Sequence, residues 1–287
     1  MIDMTIVILT KDEEKNIGKC IRAVQGLAKR IIVLDSFSTD KTIEIAKIQG
    51  AEIFQHEFKH YGAQFQYALD NLNINTQWVF RLDADEEVSK ETYKEIESLC
   101  KENEGTDING FVFRLIHIFL GREIKHGGLN ILEKLCIFKF GKAYMEDRYL
   151  GEQIILTEGR SIKLKTLSYH HDFKDVNFLV NKLNWYSTRE VKDLYIQAKQ
   201  KQEISTLDYP SKIRRYLKYK VYYRIPTRIR SALFFFYRYI LRRGFLDGKE
   251  GYYFYFFELY FYRVLVDAKL YESKITGKEP GETGSWT

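Results

Sequence analysis

The first hundred residues alternate short apolar runs with segments in which apolar residues recur every three or four positions. The runs predict buried strands, and the recurrent spacing predicts amphipathic helices. The predicted strands lie at residues 4–9, 31–34, 51–55 and 78–82. The predicted helices lie at residues 17–27, 42–48, 62–72 and 89–102. This alternation predicts an α/β fold with a mostly parallel sheet flanked by helices on both faces.

The pattern changes after residue 109. Apolar runs at 110–115 and 134–140 predict two more strands, and 164–169 predicts another. Residues 172–206 have a polar helical pattern, and residues 211–243 combine basic and aromatic side chains. We therefore expect a mixed extension of the sheet followed by a helical C-terminal part.

Polar clusters at 10–14, 35–40 and 83–87 each follow a predicted strand directly. Ligands of open α/β sheets bind beyond the carboxyl ends of the strands, so these clusters are expected to meet at one edge. Asp83 and Asp85 could together bind a hard divalent cation, Mn2+ or Mg2+. The alternative is an ordinary solvated loop, which the position directly after a core strand disfavours.

Single residues at the same edge suggest a nucleoside. The Asp35 carboxylate could accept a hydrogen bond from a base N–H group, and Thr10 and Glu13 could hold ribose or base. Glu13 could instead simply favour the start of a helix. His170 follows the run at 164–169 and is a candidate third metal ligand, although a structural role is the commoner one for such a histidine.

Four segments carry a resemblance to a known family. They are Ile8–Glu14, Val33–Asp40, Gly62–Leu69 and Arg81–Glu86. In combination they resemble the family 2 glycosyltransferases, in particular the branch that assembles capsule, exopolysaccharide and lipopolysaccharide core. Weaker likeness continues through 146–156, 172–193 and 244–251.

The resemblance implies a GT-A fold and an inverting transfer from a nucleotide diphosphate sugar, with uridine as the expected nucleoside. It implies a metal-assisted reaction in which Asp85 ligates the cation and Asp83 lies near ribose and metal. The residues implied in nucleotide-sugar binding are Thr10, Glu13, Asp35, Gln64, Arg81 and Asp83. The implied acceptor is a glycan or a lipid-linked sugar of bacterial surface polysaccharide assembly.

The resemblance implies Glu152 as the general base, but its neighbours depart from the family pattern. This chain has Gly151 and Gln153 where relatives often have Asp and His, and Asp12 where they usually have Asn. Inversion requires a carboxylate that accepts the proton of the acceptor hydroxyl. The base therefore stays open between Glu152 and Asp147. Two other interpretations are a binding scaffold without activity and a sugar nucleotidyltransferase, which would need a glycine-rich loop after the first strand.

Two features of the C-terminal third suggest partners. Trp185 and Arg189, four positions apart on a predicted helix, could flank the acceptor or could be ordinary packing residues. Residues 211–243 hold eleven Lys or Arg and no Asp or Glu, among many aromatic residues. This composition fits an anionic membrane surface better than nucleic acid, since no nucleic-acid motif accompanies it. A basic outer face on packed helices is the alternative.

These observations predict three regions: a GT-A nucleotide-sugar-binding and catalytic domain at 1–170, a helical acceptor- and membrane-associating region at 171–276, and a disordered tail at 277–287. No apolar run reaches the ~20 residues that span a bilayer, and no signal peptide is apparent at the start. We expect a cytoplasmic enzyme on the inner face of the plasma membrane. The three cysteines show no zinc or disulfide spacing, and we expect free thiols.

Overall fold

The structure, a computed structural model, describes residues 1–146, 151–199 and 216–278. The chain divides into two compact units. The first comprises Met1–Ile118 and Ile131–Asp172, and the second comprises Phe119–Asn130 and Phe173–Thr287. The functional division into 1–170, 171–276 and 277–287 stays a prediction, and residues 279–287 of the predicted tail lie outside the described residues.

The secondary structure follows the alternation seen in the sequence. The strands are β1 (Ile2–Thr10), β2 (Ala28–Asp35), β3 (Glu52–Gln55), β4 (Trp78–Asp83), β5 (Glu86–Glu87), β6 (Ile108–Phe119), β7 (Arg122–Glu123), β8 (Ile131–Lys139), β9 (Ala143–Met145), β10 (Ile154–Leu156), β11 (Arg160–Lys163) and β12 (Ser168–His170). The α-helices are α1 (Ile17–Val24), α2 (Thr42–Ile48), α3 (Tyr61–Asn71), α4 (Lys90–Glu102), α5 (Val176–Lys199), α6 (Thr227–Phe236), α7 (Gly248–Tyr255) and α8 (Tyr262–Thr276).

The first unit is built on a curled mixed sheet with the strand order β3-β2-β1-β4-β8-β6-β12-β5. The first four strands of this order are parallel, and β8 runs antiparallel to both of its neighbours. Helical connections between β1, β2, β3 and β4 place helices over the sheet, as right-handed crossovers of parallel strands require. The predicted α/β fold class is confirmed.

Side chains of β1 alternate between two apolar layers because successive residues of a strand point to opposite faces. Ile6 and Ile8 pack with Ile21 of α1 in one layer. Val7 and Leu9 pack in the other layer, which contains apolar side chains of α3. Both faces of the central strands are therefore buried, which explains their nearly continuous apolar sequence.

The predicted strand at 164–169 is only partly correct, since the observed strand is β12, Ser168–His170. The Glu95 carboxylate of α4 accepts hydrogen bonds from the backbone N–H groups of Lys165 (2.7 Å) and Thr166 (2.9 Å). These donors are therefore unavailable for strand pairing, and the chain leaves β6 after β11 and pairs with it again only at β12.

The second unit has an aromatic core and buried polar links between its helices. Phe119, Phe254 and Tyr255 are among the buried residues of this core. The Glu190 carboxylate of α5 accepts hydrogen bonds from the Tyr223 hydroxyl (2.7 Å) and from Arg263 (2.8 Å). The predicted helical, aromatic C-terminal part is thus observed, with π-helical turns at Leu217–Val221, Tyr237–Leu241 and Phe256–Phe261. Among the described residues, no helix combines the length and apolarity needed to cross a bilayer.

All three cysteines are buried and free of disulfide bonds. Burial raises the pKa of Cys100 and that of Cys136 to about 12, and burial also raises the pKa of Cys20. Since the thiolate is the reactive form, native thiols of this kind are inert.

We therefore expect no rapid thiol modification of the native protein by a disulfide reagent at pH 8, and three equivalents after unfolding in urea. The measurement is absorbance of the released chromophore. A fast equivalent in the native protein would show that at least one of these thiols is accessible.

Candidate active site

The ends of three neighbouring strands bring the predicted nucleoside residues together. In the parallel register, Thr10 of β1 lies opposite Asp35 of β2, and Leu9 lies opposite Asp83 of β4. The predicted polar clusters therefore begin at the same edge of the sheet. Thr10 and Asp35 are buried, with 6% and 0% of their surface exposed.

Hydrogen bonds lock the loop after β1 to the loop after β2. The Asp12 N–H donates to Ser38 Oγ (2.8 Å), and the Thr39 N–H donates to Asp12 Oδ1 (2.7 Å). The Ser38 N–H donates to Asp35 Oδ2 (2.9 Å). Asp12 has a positive φ of 51°. Asp and Asn are the side chains that best tolerate this conformation, so either residue suits this position.

Gln64 and Glu13 are buried and hydrogen-bonded within this edge. The Gln64 amide donates to Ser36 Oγ (3.1 Å), and its oxygen lies 2.8 Å from His56 Nδ1. Glu13 Oε2 accepts from the Asn16 amide at 2.8 Å. Gln64 thus ties α3 to the loop after β2. The roles of both residues toward a nucleotide sugar stay predictions.

Two cations surround the Asp83 carboxylate. Arg81 Nη2 lies 3.3 Å from Asp83 Oδ1, and Lys134 Nζ of β8 lies 2.6 Å from Asp83 Oδ2 and 2.5 Å from Glu86. Burial raises the pKa of Asp83, but Arg81 and Lys134 outweigh it and lower this pKa to about 2. Burial raises the pKa of Glu86, even though Lys134 opposes the shift. Asp83 is therefore ionised at neutral pH, and its negative charge is balanced by Arg81 and Lys134.

A group of three ligand-type side chains forms at the adjacent strand ends. One ligand atom each from Asp85, His170 and Asp172 lies within 4.8 Å of the others, and His170 Nε2 is 3.4 Å from Asp85 Oδ2. Strand β12 carries His170 beside β5, and the His171 N–H donates to the Asp85 carbonyl at 2.8 Å. The group suits a divalent cation. Asp83 is outside this group, and its predicted metal role stays a prediction.

Asp172 and Lys134 lie outside the sequence motifs that predict the site. Asp172 lies two positions after His170, and this spacing in extended backbone places two side chains on one side of the strand. The His-x-Asp pattern at a strand end was therefore a usable signal. Lys134 gave none, since it lies in the middle of an apolar strand far along the chain.

The His117 side chain of β6 contacts the His170 ring. Their Nδ1 atoms are 3.3 Å apart, so the ring nitrogen of His170 that faces away from Asp85 contacts a second imidazole. A partner on the second ring nitrogen fixes the orientation and tautomer of a ligating histidine.

The Glu152 side chain contacts the first turn of α3. The hairpin of β9 and β10 docks on this helix, where the Met145 N–H donates to Gln66 Oε1 (3.0 Å) and the Gly62 N–H donates to Glu152 Oε1 (3.2 Å). Asp147, the alternative base, lies outside the described residues.

Thr10 Oγ1 and Arg81 Nε are buried polar atoms at this edge that have no hydrogen-bond partner among the described residues. Burial lowers the pKa of Arg81, but nearby charges including Asp83, Glu86 and Glu152 reverse this and raise it. A buried polar group left without a partner costs about 1–3 kcal/mol. A ligand that binds here could satisfy both atoms.

Trp185 and Arg189 lie on α5 in the second unit. The Arg189 guanidinium stacks over the Trp185 ring, 4.3 Å from its centroid. The predicted pair therefore exists as a cation–π contact, and its role toward an acceptor stays a prediction.

Several known proteins are similar to this chain in sequence or in fold. The model of glycosyl transferase family 2 matches residues 5–144. An uncharacterized glycosyltransferase of Rickettsia typhi is 30% identical over 69% of this chain and 70% of its own length. Another from Rickettsia conorii is 27% identical over 85% of this chain and 82% of its own length. The chain belongs to glycosyltransferase family 2.

A solved structure extends the likeness to the fold. A mannosyltransferase of Pyrobaculum calidifontis, in complex with GDP-mannose and Mn2+, is 12% identical and has a TM-score of 0.54. The alignment covers 96% of this chain and 86% of that chain. At this identity the likeness establishes a shared GT-A-like architecture.

We expect Lys134→Gln to lower the free energy of unfolding at pH 7 by about 3 kcal/mol, because the buried Glu86 and the partly buried Asp83 lose a shared cation. The depressed pKa of Asp83 contributes stability that is present above about pH 4 and is lost as the pH falls toward 2. Protonation of Glu86, whose pKa is raised, also removes charge in acid. The wild-type and variant stabilities should therefore converge below pH 4.

Urea denaturation across this pH range measures the difference. Lys142→Gln is the matched control, since Lys142 forms an exposed pair with Glu158. A deficit that stays constant with pH would contradict the electrostatic explanation.

Proposed function

We propose that this glycosyltransferase moves a sugar, with inversion, from a nucleoside diphosphate sugar to a glycan or lipid-linked acceptor in bacterial surface polysaccharide assembly. The donor is a UDP-sugar. The observation that carries the proposal is the group of Asp85, His170 and Asp172. It lies at the sheet edge where β1 ends at Thr10 and β2 ends at Asp35.

The chemistry of this group fits a divalent cation held against a diphosphate. Two carboxylates supply hard oxygen ligands suited to Mg2+ or Mn2+, and an imidazole nitrogen favours the transition metal of the two. When bound, the cation would offset the charge of the diphosphate leaving group. Asp85, His170 and Asp172 would hold it, and His117 would orient His170.

The remaining residues of the edge suit the nucleoside part of the donor. Thr10 Oγ1 and Arg81 Nε are buried donors without a described protein partner, so they could bind ribose or phosphate oxygens. Asp35 and Glu13 would accept hydrogen bonds from base and ribose. In this proposal Asp83 keeps Arg81 in place and lies near the ribose.

Glu152 is the proposed general base. As the acceptor hydroxyl oxygen attacks the anomeric carbon, Glu152 takes the hydroxyl proton while the bond from that carbon to the diphosphate oxygen breaks. The electron pair of the broken bond leaves with the nucleoside diphosphate. The hydrogen bond from the Gly62 N–H supports the proposal because it holds the Glu152 carboxylate in place beside α3.

A lipid-linked acceptor would place the reaction at the inner face of the plasma membrane. The excess of Lys and Arg within 211–243, where Asp and Glu are absent, supports association with an anionic surface. Trp185 and Arg189 are proposed to flank the acceptor.

We expect UDP-sugars to stabilise the protein only in the presence of a divalent cation, with Mn2+ more effective than Mg2+. At a donor concentration 100-fold above Kd, mass action predicts a rise in Tm of about 5 °C. A thermal-shift screen of UDP- and GDP-sugars with and without Mn2+ measures this. Asp85→Ala and Asp172→Ala should each abolish the metal dependence.

The control for this screen is Asp107→Ala, which removes an exposed carboxylate paired with Arg160. It should leave the Mn2+ response unchanged. An unchanged response in Asp85→Ala or Asp172→Ala would exclude that residue as a ligand.

We expect Glu152→Gln to reduce sugar transfer by about a hundred- to ten-thousandfold while donor binding is retained. Glutamine keeps an oxygen that can accept from the Gly62 N–H but cannot take a proton. Transfer is measured by release of nucleoside diphosphate in the presence of acceptor. Glu158→Gln, at an exposed position, is the control. Full transfer activity in Glu152→Gln would assign the base elsewhere.

A further inference from the structure

One side of a helical segment in the second unit faces the core. The segment comprises α6 and the π-helical turn Tyr237–Leu241, which follows it directly. Arg230 is 3% exposed and forms an ion pair with Asp267 of α8. Phe234 and Phe235 pack against the aromatic core. This side therefore carries both the ion pair and the core contacts of the segment.

The opposite side is also apolar, although it faces outward. We call it the apolar stripe. Its residues are Ile229 (49% exposed), Leu233 (52%), Phe236 (51%), Tyr237 (43%), Ile240 (42%) and Leu241 (63%). They recur every three or four positions and so form one continuous surface of the helix. A surface helix of a globular protein normally presents polar side chains outward, so this stripe indicates a binding surface.

Exposed basic residues flank the apolar stripe in the sequence. Lys220 and Arg224 precede it, and Arg242, Arg243 and Lys249 follow it, all exposed. The sequence from 211 to 243 contains no acidic residue. From Ile229 to Leu241 the stripe is about 18 Å long at 1.5 Å per residue. This length suits a helix lying along a membrane surface, since spanning a bilayer needs ~20 apolar residues.

The charges decide between two possible occupants. A second copy of this chain, docked stripe to stripe, would bring the basic ends of one copy against the basic ends of the other in either orientation. Like charges would then oppose each other across the interface. An anionic lipid leaflet offers acyl chains to the stripe and phosphates to both ends.

We propose that the apolar stripe inserts into the headgroup region of an anionic bilayer, with Lys220, Arg224, Arg242, Arg243 and Lys249 on the lipid phosphates. This assignment rests on the proposed function, in that a lipid-linked acceptor gives the enzyme a reason to bind there. Beyond the proposed function, the assignment specifies which face of the second unit contacts the membrane and that the bound lipids are anionic.

The test is co-sedimentation of the full chain with vesicles. Wild type should bind vesicles of phosphatidylglycerol and phosphatidylcholine, and bind those of phosphatidylcholine alone much more weakly. Leu233→Ser with Leu241→Ser should weaken binding about tenfold or more. Arg242→Gln with Arg243→Gln should weaken it about tenfold and reduce its sensitivity to salt.

The matched control is Ile48→Ser with Ile275→Ser, since both isoleucines are exposed, at 74% and 65%, and lie outside the stripe. It should bind vesicles like wild type. Circular dichroism and donor hydrolysis without vesicles check that every variant is folded and that its active site works. If wild type does not hydrolyse the donor, the result counts against the proposed function but not against membrane binding, because vesicle binding is measured without a donor.

Three results would overturn the membrane assignment. The first is that wild type does not bind anionic vesicles. The second is that the stripe variant binds them as well as wild type does. The third is a wild-type dimer in light scattering that the stripe variant converts to a monomer, since a second copy would then cover the stripe.

Discussion

The parallel register of β1, β2 and β4 is the constraint on which the candidate site depends. Because Thr10 lies opposite Asp35 and Leu9 opposite Asp83, residues more than seventy positions apart in sequence reach the same edge of the sheet. A slip of one residue in any of these strands would exchange the two apolar layers. Burial on both faces therefore fixes the register, and the register fixes the site.

An edge so rich in carboxylates needs compensating charge, and the protein supplies it unevenly. Arg81 and Lys134 neutralise Asp83 and keep it ionised. Asp85 lies instead beside His170 and Asp172, in a group that carries more negative than positive charge. One carboxylate of the Asp-Ala-Asp sequence thus belongs to an internal ion-pair network, and the other belongs to the group that could hold a cation.

The second unit is stabilised differently. Its helices share an aromatic core and are also joined by buried hydrogen bonds and ion pairs. Glu190 accepts from Tyr223 and Arg263, and Arg230 pairs with Asp267. These links use some of the basic residues of the C-terminal region internally. Exposed cations also flank the apolar stripe in the sequence, at Arg224, Arg242 and Arg243. A segment whose sequence is uniformly basic and aromatic therefore has two distinct sides.

The sequence by itself determined the strand–helix alternation, the sheet edge on which Thr10, Asp35 and Asp83 meet, and the family. Each depends on local periodicity or on short motifs that directly follow strands. Only the tertiary structure decided that Lys134 neutralises Asp83, that Asp172 completes a group with Asp85 and His170, and that contacts with Glu95 keep Lys165 and Thr166 out of the predicted strand at 164–169. These outcomes depend on contacts between elements distant in sequence, and no periodicity encodes which side chain a neighbouring strand or helix will present.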